Sequence, residues 1–198
     1  MPGRERRWRA LAGSCPAEMS RAARPVDRKR WRQALVAHLE DFPRQLEALR
    51  FSTQTFGGDF DAAQFADGFE SEEPELYTRV QAIERGFGRL QNYIALMAED
   101  GTKLAGLPRR SLEANEPRAQ PAFEALRDAG VITKDLCRRL IATQKSRTLF
   151  EHDYVRVAAD DVHAAVVKLL GVAPEFLERF SGWIEPYLLT RSPEQAAE

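Results

Sequence analysis

Arg147, His152 and Tyr154 fall within eight residues and bring together side chains suited to a phosphodiester. The arginine carries a permanent, planar fork of donors that matches phosphate oxygens. The histidine titrates near ~6.5 and can move a proton at neutral pH. Taken by itself, Tyr154 reads as a core or rim aromatic with a satisfied hydroxyl, and a lone histidine on a helix is more often structural than catalytic. On an ideal helix Arg147 and His152 lie about 140° apart, from five steps of roughly 100°. They converge only if the helix ends or distorts between them, or if each reaches a cleft shared by two copies. Either way the site belongs at a helix end or an interface.

The elements that must position this trio read as helices throughout. Thr133 is expected to cap a helix through Leu136, Leu140 and Ile141 that carries Arg138, Arg139 and Lys145 on its exposed side. Before it, a short helix through Phe123 and Leu126 stops at Gly130. After it, a helical stretch begins near Asp160 and Asp161 and continues through Val166 and Leu170. Gly171 and Pro174 are expected to bend or break it before Phe176, Phe180, Trp183 and Tyr187. Upstream, Leu76, Val80, Ile83, Phe87, Leu90, Ile94 and Met97 keep a strict four-three alternation, which predicts a long helix from Pro74 to about Asp100. Gly86 and Gly88 inside it are expected to allow close helix approach, and an irregular linker is expected after Gly101. A first long helix is predicted from Val26 to about Phe51, with Trp31, Leu35, Leu39, Phe42, Leu46 and Leu49 on one stripe. Pro43 predicts a kink there, or a restart capped by Asp41. Between these two helices lie Phe56, Phe60, Phe65 and Phe69, and the spacing of Phe56, Phe60 and Phe65 suggests a short helix folding back, with packing as the role of the aromatics.

No segment alternates with a period of two, and the class is all-α: a four-to-five-helix antiparallel bundle. The expected organisation is a basic arm over 1–25, one helical domain over 26–190 and a tail over 191–198. No stretch approaches the roughly 20 apolar residues needed to span a bilayer. Cys15 and Cys137 lack any paired metal-ligand spacing, so neither a disulfide framework nor a cysteine metal site is expected, and the expected compartment is the cytoplasm. His38 and His163 show no ligand spacing with His152 and read as structural or exposed; no metal or cofactor is expected. The formal charge of -1 conceals an asymmetry: residues 1–32 carry ten Lys/Arg against three Asp/Glu, the remainder nineteen against twenty-seven. A basic arm of this kind could touch nucleic acid or an acidic partner, and is also commonly just solvated. Met19 offers an alternative start.

The order R-x-x-x-x-H-x-Y, written here as Arg147, His152 and Tyr154, resembles the signature of HepT toxins of the HEPN superfamily. The run Phe123, Leu126, Gly130, Ile132, Leu136 and Leu140 before it is similar to the family's approach to the motif, and the likeness spans about residues 76–185. One position departs: Thr148 stands where family members often carry Asn or Asp. The resemblance implies a homodimer whose paired motifs line a cleft and cut RNA without a metal. It implies His152 as general acid or base, Arg147 as the phosphate ligand, and RNA as the substrate class, because DNA lacks the attacking 2′-hydroxyl. Arg138, Arg139, Lys145 and Arg156 could add affinity for the RNA backbone, although an ordinary solvated face is as good a reading of them. The resemblance also implies a toxin–antitoxin partnership, in which a small nucleotidyltransferase antitoxin transfers AMP to Tyr154 and blocks the site by bulk and charge. A non-catalytic helical module that binds such a nucleotidyltransferase, or its nucleotide, is the competing reading.

Overall fold

The computed structural model describes residues 25–152 and 158–189, and the side chains among them except those of Pro25 and residues 147–152. Six helices appear among the described residues: α1 (Pro25–Gln54), α2 (Ala62–Glu70), α3 (Pro74–Ala105), α4 (Gln120–Asp128), α5 (Lys134–His152) and α6 (Ala159–Leu189). No strand occurs among them, so the class is all-α. Four long helices form the frame, and the two nine-residue helices α2 and α4 take the number beyond the expected four to five.

The seam of α3 is buried along its length: Val80, Ile83, Phe87, Leu90, Ile94 and Met97 are each at most 3% exposed. Opposite it, Leu35, Phe42, Leu46 and Leu49 of α1 are buried. Arg28 meets Leu104, Asp41 meets Tyr93 and Leu49 meets Gly86, so α1 and α3 run antiparallel. Arg139 lies thirteen residues before the end of α5 and its contact Glu175 sixteen after the start of α6, so with only six residues between the two helices they run antiparallel as well. From α6, Val162, Val166, Leu169, Phe176, Phe180 and Ile184 complete one continuous core.

Several helix boundaries differ from the sequence reading, each for a packing reason. Helix α1 runs through Pro43, and Asp41 starts no new helix. Its carboxylate instead accepts hydrogen bonds from Tyr93 Oη at 2.6 Å and Gln45 Nε2 at 3.0 Å. A proline inside a helix costs about 3 kcal/mol. Burial of Phe42 and Leu46 on either side stabilises by about 1.5–3 kcal/mol each and offsets that cost. The same balance carries α6 unbroken past Gly171 and Pro174, between the buried Val172, Ala173 and Phe176.

Helix α3 does not stop at Gly101. It continues to Ala105 and ends at Gly106, whose φ of 68° is the left-handed conformation that terminates helices. Gly101 is buried inside the helix, where a Cβ would come within 2.6 Å of Phe180 Cζ. Close approach is thus its role. Gly86 behaves similarly toward Leu49, at 3.2 Å from Cδ1, whereas Gly88 has no neighbour within 4 Å of an added Cβ.

In the phenylalanine-rich segment the helix is α2, capped by the Asp61 side chain on Gln64 N at 2.9 Å. Phe65 and Phe69 lie on it, while Phe56 and Phe60 sit in the turns before it. The rings of Phe56, Phe60 and Phe65 are buried and meet edge-on, which is packing. Cys137, on α5, is buried beneath α4, and burial pushes its thiol pKa up.

Candidate functional site

Helix α5 begins as its sequence requires. The Thr133 hydroxyl accepts the Leu136 N–H at 3.0 Å, and the Thr133 carbonyl accepts that of Cys137 at 3.0 Å. Leu136, Cys137 and Leu140 then face the core, followed by Thr143 and Gln144, two polar residues that are nonetheless buried. Their partner is Gln91 of α3. Gln91 Nε2 donates to the Thr143 carbonyl, and Gln144 Nε2 donates to the Gln91 carbonyl at 3.0 Å. This reciprocal pair ties α5 to α3 one turn before Arg147. Gln91 is fully buried, and its own Oε1 has no hydrogen-bond partner among the described residues.

The backbone of α5 stays helical through His152. No helix end falls between Arg147 and His152, so on regular helix geometry their Cα positions lie about 140° apart. Arg147 stands one turn beyond Thr143, on the line that starts with Leu136 and Leu140. His152 stands seven residues beyond Lys145 and fourteen beyond Arg138, on the line of the exposed residues. Tyr154 and Arg156 lie outside the described residues.

The flanking cations are placed as follows. Arg138 Nη2 is 2.6 Å from Asp135, and Arg139 bonds both Asp135, at 2.7 Å, and Glu175. Lys145 is exposed, and its charge helps hold the Glu116 carboxyl below its usual range. The larger cause of that shift is Arg110, whose guanidinium grips Glu116 at 2.6 Å and Glu124 at 2.6 Å. These two carboxylates raise the pKa of Arg110 in turn. The clamp fixes the segment between α3 and α4.

The two remaining histidines have structural partners. His163 Nε2 lies 2.7 Å from the Phe60 carbonyl, and its ring packs on Phe60. His38 meets the Tyr93 ring edge-on at 5.0 Å. Among the described residues, no group of three or more His, Cys, Asp or Glu side chains is placed to hold a metal, and no helix is long and apolar enough to cross a membrane.

Sequence reasoning missed Gln91, Gln144 and Arg110. A glutamine on a helical stripe is invisible to a reading built on apolar period; the signal available was polarity at a core position, since Gln91 directly follows Leu90 on the α3 seam. No family model, no curated protein and no solved structure matches the chain.

Proposed function

We propose that the chain is a HEPN-type RNA endonuclease, the toxin of a toxin–antitoxin pair, acting as a homodimer without a metal in the cytoplasm. The observation that carries the proposal is the placement of Arg147 and His152, five residues apart, on the C-terminal end of a long helix of an all-α chain. With about 140° between their Cα positions, the reading favoured is a composite site, in which the arginine of one copy and the histidine of the other serve one cleft. There His152 takes the proton of a ribose 2′-hydroxyl, whose oxygen attacks the adjacent phosphorus. Arg147 holds the phosphate oxygens as charge develops. The 5′-oxygen leaves with a proton, and a 2′,3′-cyclic phosphate remains. Tyr154, two residues past His152, is the acceptor for AMP from a nucleotidyltransferase antitoxin; the added negative charge repels RNA.

The test is cleavage of total RNA and of tRNA by purified protein in excess EDTA, beside folded Arg147→Ala and His152→Ala proteins. Cleavage by the unmodified chain and its loss in both variants is the expected result. A second reading, a non-catalytic module that binds a nucleotidyltransferase, is favoured by Thr148 at the position next to Arg147. Absence of cleavage by protein shown by mass to carry no AMP would select it.

A further inference from the structure

A cleft of about 870 Å³ lies between the first turns of α1, the last turns of α3 and the segment that joins α3 to α4. Small-molecule sites commonly occupy about 300–1,000 Å³. Its wall carries five cations, Arg28, Lys103, Arg109, Arg110 and Arg118, and one carboxylate, Glu99. Their partners divide them. Glu99, 7% exposed, is held in a two-pronged contact by Arg118 at 2.9 and 3.0 Å, with Lys103 at 3.8 Å. Lys103 also meets Asp100 at 3.2 Å, and Arg110 is occupied by Glu116 and Glu124. Arg28 gives one N–H to the Leu104 carbonyl at 3.3 Å and, with Arg109, has no carboxylate partner among the described residues. Arg28 therefore steadies the end of α3, where helix carbonyls carry partial negative charge, and still has donors to spare. Arg109 makes no side-chain hydrogen bond or ion pair among the described residues.

The same wall carries half-buried Trp31 and Leu107, with Lys103 Nζ over one face of the Trp31 ring at 6.0 Å from its centroid. A ligand suited to this wall has a doubly charged oxyanion for Arg28 and Arg109 and a flat or apolar body for Trp31 and Leu107. We propose that the cleft binds a small phosphorylated molecule, with Arg28 and Arg109 as its phosphate ligands and Trp31 as the platform for its body. This site is separate from Arg147 and His152 and does not depend on the ribonuclease reading.

Titration calorimetry of the full chain with 1-naphthyl phosphate, 1-naphthol and inorganic pyrophosphate tests it. The phosphate ester is expected to bind at least about tenfold more tightly than 1-naphthol, a difference of about 1.4 kcal/mol. Arg28→Ala/Arg109→Ala is expected to remove at least that factor with an unchanged circular dichroism spectrum, while His152→Ala binds as wild type does. Pyrophosphate binding that Trp31→Phe leaves unchanged, with naphthyl phosphate binding weakened by it, separates the head from the body. No saturation by either phosphate up to about 1 mM, or equal affinity in the double variant, would overturn the proposal.

Discussion

Two glycines of α3 occupy opposite situations and should respond oppositely to one added methyl group. At Gly101 a Cβ lands 2.6 Å from Phe180 Cζ and 2.8 Å from Cε2, so Gly101→Ala is expected to destabilise the chain by about 1–3 kcal/mol. At Gly88 an added Cβ meets no other part of the described residues within 4 Å, and Gly88→Ala is expected to stabilise the chain by about 0.5–1 kcal/mol. Urea midpoints of the two variants check both signs, and a loss at Gly88 would contradict the open space there. His38 gives a pH dependence at the same scale. Burial lowers its pKa below the ordinary 6.5, against opposing pulls from Asp100 and Asp41. The unfolded chain then binds this proton more readily than the folded one. Stability from this residue is present above about pH 6.5 and is lost as the pH falls through the folded value. Denaturant unfolding between pH 7 and pH 5 should show a decline in wild type that is shallower in His38→Gln; parallel curves would remove His38 from the account.

At the scale of elements, the start of α5 rests on one hydroxyl. Thr133→Ala leaves the Leu136 N–H without its acceptor and should cost about 1 kcal/mol, while Thr133→Ser keeps the cap and most of the stability. Thermal melts of the two variants make the comparison, and equal losses would place the effect in the methyl group. This cap was legible in the sequence, as were the α3 seam and the end of α4 at Gly130, because each is a local pattern: a hydroxyl before an apolar period, a four-three repeat, a glycine after it. The helix end expected at Gly101, the restart allowed for at Pro43 and the break allowed for at Gly171 and Pro174 were not there, since the sequence shows a residue's local cost and hides the distant partner that offsets it. For Gly101 that partner is Phe180, and for Pro43 it is the apolar stripe of α1 facing α3. Likewise Arg147 and His152 announce themselves by spacing, whereas Gln91 and Gln144, which tie α5 in place, are brought together only by the fold.

At the scale of the whole molecule, Arg147 and His152 stand on different lines of one helix, and the proposed composite dimer carries a quantitative expectation. Mixing Arg147→Ala and His152→Ala proteins under conditions that exchange subunits forms mixed dimers, each with one intact pair and one doubly altered pair. RNA cleavage should return to about a quarter of the wild-type level from statistical mixing of two equal pools. A site contained within one chain would yield no recovery, because every chain in the mixture lacks one member.

Cys137 lies at 2% exposure where α4 covers α5, and its thiolate, the reactive form, is suppressed by that burial. In a Cys15→Ser chain, a thiol reagent therefore has a single target, reachable only during the intervals when the two helices part. Its labelling rate would serve as a clock for that opening, read from a thiol the core already holds.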